Sequence, residues 1–136
     1  MKFLVDANVL SEPTKPAPDE GVIKWLRENE RHLAVSPVVL GELEYGILIL
    51  TASRRRRRLE DWFADLVQRL RLLDFDSAVA GEWARLLARL KRRGKAIPIK
   101  DSLIAATALA HGLTMVTRNV ADFKNAGVKV VNPFTA

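Results

Sequence analysis

Four carboxylates carry the chemistry this chain could do: Asp6, Glu42, Asp101 and Asp122. Each lies just after an apolar stretch or in the early turns of a helical pattern that starts where such a stretch stops. Acids gathered in one place repel one another and hold their protons more tightly. A hard divalent cation offsets that cost, and an oxygen-only donor set points to Mg²⁺, with Mn²⁺ as a substitute, rather than to zinc. Such an ion lowers the pKa of bound water, aligns an in-line attack and stabilises charge on a phosphoryl group. The two histidines, His32 and His111, have no partner at ligand spacing and read as structural.

The elements that must position these acids alternate in type along the chain. Phe3, Leu4 and Val5 form a short apolar run that ends on Asp6, as a buried parallel strand would. Ligands of open α/β sheets bind where such strands stop. Pro13, Pro16 and Pro18 mark an irregular link, and Asp19 or Glu20 opens a helix with Val22, Ile23 and Leu26 inward. Residues 32–35 read as a second strand. Ser36 and Pro37 then cap a helix at once and place Glu42 in its second turn. Gly41 and Gly46 weaken that helix by about 1 kcal/mol each relative to alanine and read as points of close packing.

Ser53 caps the next helix, residues 71–75 read as a third strand, and Asp76 or Ser77 caps a helix that Gly94 stops. Pro98 opens a helix that is nearly apolar from Leu103 to Ala110 and carries Asp101 in its first turn. Gly112 ends it. Residues 113–117 form a fourth strand running into the polar turn that holds Asp122, and residues 128–131 a last one. This alternation predicts an α/β fold, with a central parallel sheet of four to five strands flanked by helices on both faces, in one domain over residues 1–136.

Composition narrows the partners. Lysine and arginine total 22 against 16 acids, a formal charge of +6, and arginines occupy every position from 54 to 58. A basic chain favours polyanions through steering and counterion release, although a solvated helix face would read the same way. Five arginines at a helix start oppose the helix dipole, which favours a ligand for them. Arg55, Arg56 and Arg57, with Arg118 at the site edge, are the candidate nucleic-acid contacts. Trp25, Trp62 and Trp83 fall on helical faces and read as core or dimer contacts. The chain has no cysteine. No segment is apolar over the length a membrane span needs, so a soluble cytoplasmic protein is expected.

Taken together, Val5-Asp6-Ala7-Asn8, Ser36-Pro37 with Glu42, Ile97-Pro98-Ile99-Lys100-Asp101-Ser102 and Thr117-Arg118-Asn119-Val120-Ala121-Asp122-Phe123 resemble a PIN-domain ribonuclease. Within that superfamily the chain is most similar to VapC- and FitB-like toxins of toxin-antitoxin pairs. The resemblance runs over nearly the whole chain in the right order; Ala7 departs from it, since Thr or Ser is common there. It implies that Asp6, Glu42, Asp101 and Asp122 bind one or two Mg²⁺ ions and activate water to cut RNA, leaving a 5′-phosphate and a 3′-hydroxyl. Asn8 and Thr117 would be accessory groups, with Asn119 orienting the last turn. A homodimer silenced by a small antitoxin is also implied. Two other readings compete. A phosphohydrolase of the haloacid dehalogenase type would use Asp6 as nucleophile but expects a second Asp where Asn8 stands, and a well-placed lysine. An inert PIN-like module would bind RNA or a partner without cutting.

Overall fold

The computed structural model describes residues 1–134. Its centre is a five-stranded, wholly parallel sheet: β1 (Phe3–Val5), β2 (Leu33–Val35), β3 (Arg71–Leu72), β4 (Thr114–Val116) and β5 (Val130–Val131), in the order β3-β2-β1-β4-β5. Among the described residues seven α-helices flank it: α1 (Ala7–Leu10), α2 (Glu20–Asn29), α3 (Pro37–Leu48), α4 (Arg54–Arg69), α5 (Ser77–Arg92), α6 (Ile99–His111) and α7 (Val120–Asn125). The expected α/β architecture is the one observed. Leu4, Val5, Val35, Met115 and Val116 are fully or almost fully buried, because a parallel sheet between helices has no wet face.

The strand order reverses at β1. The chain leaves β1 toward β2 and β3 on one side and returns to β4 and β5 on the other. Neighbouring crossovers therefore diverge at the carboxyl ends of β1 and β4, which opens the crevice where ligands of such sheets bind. Phe3 pairs with Leu33 on one side and Thr114 on the other, fixing the register of the residues that follow both strands.

Local chemistry sets most boundaries. Asp19, Ser36, Ser53 and Asp76 each accept a hydrogen bond from a first-turn backbone N–H, capping α2, α3, α4 and α5. Gly112 closes α6 in the left-handed conformation, with φ of 64°. The interior of α6 is as buried as its composition demands, from Ile104 through Ala108.

Several expectations need correcting. The stretch after β1 is not simply an irregular link: Asp6 caps the short helix α1, and a 3-10 turn follows over Glu12–Thr14. The third strand covers only two residues of the expected five, because β2 turns into α3 after Val35 and leaves nothing to pair with; Leu73 N–H makes the last bond, to the Val35 carbonyl at 3.0 Å. The last strand starts two residues late, since Val128 N–H is committed to the Phe123 carbonyl at the end of α7. Gly41 and Gly46 do not mark close packing. A Cβ at either would meet nothing within 4 Å.

The tryptophans lie against the body of the protein. Trp25 packs edge-on against Phe3, and Trp83 Nε1 donates to Ser102 Oγ at 2.9 Å. Trp62 packs partly buried on the core. Among the described residues no helix is long and apolar enough to cross a membrane.

Candidate active site

Asp6 stands where β1 stops, and three hydrogen bonds fix it. Its backbone N–H donates to the Val116 carbonyl at 2.9 Å, the last bond between the two central strands. One carboxylate oxygen, Oδ1, accepts from Ala7 N–H at 2.8 Å, the N-cap bond of α1. The other, Oδ2, accepts from Thr117 Oγ1 at 2.7 Å. Thr117 follows β4, so this bond spans the switch point between residues 111 apart in sequence. Asp6 is 6% exposed and Thr117 0%. Burial pushes the Asp6 carboxyl up, and its hydrogen bonds to Thr117 and Ala7 only partly oppose that rise.

Around this pair lies a polar network. Thr117 Oγ1 also accepts from Asn119 N–H at 2.9 Å. Asn8 Oδ1 accepts from Arg118 N–H at 3.2 Å, while its amide nitrogen lies farther, at 3.4 Å, from both Asp6 and Thr117. The Asn119 amide donates to both Asp101 Oδ2 and Asp122 Oδ2, at 3.0 Å each. Asn119 thus bridges the first turns of α6 and α7, a larger part than orienting one turn. Asn8, Thr117 and Asn119, accessory groups by the family resemblance, all fall at this one edge.

Asp101 is raised by both burial and neighbouring charge. Partial burial, followed by the charges of Asp6, Asp122 and Glu42, pushes its pKa up to about 6. All four acids therefore share one electrostatic environment at the carboxyl edge. Glu42 comes to it from α3, which packs against α1 and α6. Its Oε2 accepts from Lys100 Nζ at 3.0 Å. Nothing in the sequence singles out Lys100 beyond its place beside Asp101; only the packing of α3 on α6 reveals its partner, 58 residues away.

This donor set suits a hard divalent cation. Every candidate is a carboxylate oxygen, and positively polarised groups already face the set: the Asn119 amide on Asp101 and Asp122, and the Lys100 ammonium on Glu42. Among the described residues, no three of these acids stand close enough together to grip an ion as they are placed. Small side-chain rotations toward a bound ion would have to close the set.

The candidate nucleic-acid contacts lie elsewhere. Arg55 and Arg58 line a groove with Pro13, Thr14, Pro16 and Trp62, adjoining the segment that leaves α1. Arg56 is drawn into structure: its Nη1 donates to the Leu50 carbonyl at 2.9 Å, past the end of α3. Arg118 is exposed and lies over the Phe134 ring, 4.3 Å from its centre.

A parallel α/β sheet with an acid-lined switch point defines a broad class, and comparison with known proteins narrows it. The profile of the PIN domain matches residues 3–129. Toxin FitB of Neisseria gonorrhoeae is 36% identical over 97% of this chain and 98% of its own. A VapC ribonuclease of Sinorhizobium fredii is also 36% identical, over 97% of each chain. Among solved structures, FitAB bound to a DNA fragment superposes with a TM-score of 0.90 at 34% identity, over 97% of this chain and 95% of that one. The chain belongs to the PIN-domain family, with VapC- and FitB-type toxins as its near relatives.

Proposed function

We propose that the chain is a divalent-metal-dependent endoribonuclease, the toxin of a toxin-antitoxin pair. The observation that carries this reading is the placement of Asp6. It is buried at the switch point, bonded to Thr117 across the two central strands, and in electrostatic reach of Glu42 and Asp101. Family membership and a relative named as a ribonuclease support RNA as the substrate class.

Asp6, Asp101 and Asp122, with Glu42 beside them, would hold Mg²⁺, with Mn²⁺ as a substitute. When bound, the ion supplies a water acidic enough to attack near neutral pH and offsets charge on the phosphoryl oxygens. The protein's own groups do the positioning. Thr117 and the Ala7 N–H fix both oxygens of Asp6, so that its remaining lone pairs face the crevice in one orientation. Asn119 holds Asp101 and Asp122 in a common orientation. Asn8 ties the turn after β4 to the start of α1 through the Arg118 N–H. Attack by water on the phosphorus, with departure of the ribose 3′ oxygen, leaves a 5′-phosphate and a 3′-hydroxyl.

A homodimer fits the exposed apolar residues Tyr45, Leu48 and Ile49 at the end of α3, with Val67 on α4. A small antitoxin is the expected partner, in keeping with the likeness to a FitAB assembly on DNA. An RNA substrate favours a cytoplasmic location. The test is direct: the full chain is incubated with defined tRNA and rRNA substrates, with Mn²⁺ and with EDTA. Cleavage in Mn²⁺ only, lost in Asp6→Asn, is the expected result. RNA binding without cleavage in any metal would favour the inert module instead.

A further inference from the structure

The sheet edge holds a lysine among its acids. Lys100 occupies the first turn of α6 beside Asp101, and its Nζ lies 3.0 Å from Glu42 Oε2. The ammonium also acts on Asp6 and Asp101 through space, so its charge faces the cluster rather than solvent alone. Asp101 and Asp122 have a different partner, the neutral amide of Asn119, which binds weakly enough to be exchanged for an ion. The four acids are therefore not equivalent. Three have neutral hydrogen-bond partners, and one is already paired with a cation.

We propose that Lys100 takes the place of a second metal ion: it holds Glu42 out of the coordination shell, so that the site binds a single divalent cation between Asp6, Asp101 and Asp122. The charges favour this arrangement. With Glu42 neutralised, three carboxylates face one divalent ion. A second ion would have to displace an ammonium from its carboxylate and then sit near it, at a separation where like charges repel. The lysine is a positioning residue for Glu42. The same turn of α6 supplies both Lys100 and Asp101, so the two charges cannot separate far.

This inference rests on the metal-dependent reading above, and a binding experiment separates the two. The full chain, freed of metal, is titrated with Mn²⁺ and followed by calorimetry and by the electron paramagnetic resonance of free Mn²⁺. The wild type is expected to bind one ion per chain. Lys100→Met is expected to bind two, or to bind a second at least tenfold more tightly than the wild type does. Lys100→Arg, which keeps the charge, should stay at one. Two ions of similar affinity in the wild type would overturn the proposal while leaving the metal-dependent reading intact. So would an unchanged count and affinity in Lys100→Met, or a second ion in Lys100→Arg. No Mn²⁺ bound by the wild type at all would overturn both. Lys100 is exposed, and circular dichroism of each variant checks that the fold survives.

Discussion

The carboxyl edge of the sheet and the arginine-rich start of α4 are both highly charged, and they are held in opposite ways. At the sheet edge, side chains just after β1, in the first turn of α6 and in the turn after β4 bond to one another across long sequence separations, as Asp6 does to Thr117 and Asn119 to Asp101. At α4 the arginines are neighbours in sequence and exposed, except for Arg56, which bonds to the Leu50 carbonyl. A buried carboxylate such as Asp6 is costly to ionise unless it is paired or binds a cation. Exposed ones cost little and answer mainly to salt. The first region has the character of a built site, the second of a guiding surface.

The sharpest way to break that contrast is to remove the lock on Asp6. Thr117→Val keeps the shape but strips the hydroxyl that bonds Asp6 Oδ2. Metal affinity and cleavage should fall by about 10–100-fold, and the metal-free protein should lose about 1–3 kcal/mol in urea titration through the unsatisfied buried oxygen. A variant with wild-type affinity would mean that Asp6 is not held by this bond.

On the other side, Arg55→Gln with Arg57→Gln should weaken RNA binding and leave stability unchanged. For each phosphate that is no longer neutralised, the slope of log affinity against log salt should flatten by about 0.7. An unchanged slope would return the run to a solvated helix face.

A smaller effect tests the shared electrostatics. Asp101 ionises only at about 6 in the fold, against the ordinary aspartate value of 3.8 expected for the unfolded chain. Between those values the folded protein binds more protons than the unfolded one, so its stability rises as pH falls. The metal-free wild type should therefore melt at a higher temperature at pH 5 than at pH 7 relative to Asp101→Asn, whose profile lacks this contribution. Saturating Mn²⁺ should reverse the trend, because a bound cation favours the ionised acid.

Much of this was legible from the sequence, for physical reasons that differ between residues. Short-range chemistry reads directly: Ser36-Pro37, Ser53 and Asp76 mark helix starts, and Gly112 an end, because caps involve residues only a few positions apart. The acids could be named because strand ends and helix starts converge at a switch point in this class of sheet. What the sequence withheld depends on distant partners. Lys100 looks like any exposed lysine until α3 packs on α6 and brings Glu42 to it. Asn119 reads as a turn residue until α6 and α7 present two carboxylates to one amide. Gly41 and Gly46 misled in the other direction. A helical glycine suggests a close neighbour, yet both face open space on the helix that also exposes Tyr45 and Leu48.

The central claim is that Asp6, Asp101 and Asp122, with Glu42 beside them, form one metal site, and ligand-induced stabilisation tests it without needing the natural RNA. A ligand at a hundred times its dissociation constant stabilises the fold by about 2.7 kcal/mol, which corresponds to a melting shift on the order of 10 °C for a domain of this size. Melting of the wild type and of Asp6→Asn is compared in EDTA and in millimolar Mn²⁺. The account predicts a clear rise for the wild type and the loss of most of it in Asp6→Asn. An equal rise in both proteins would contradict it.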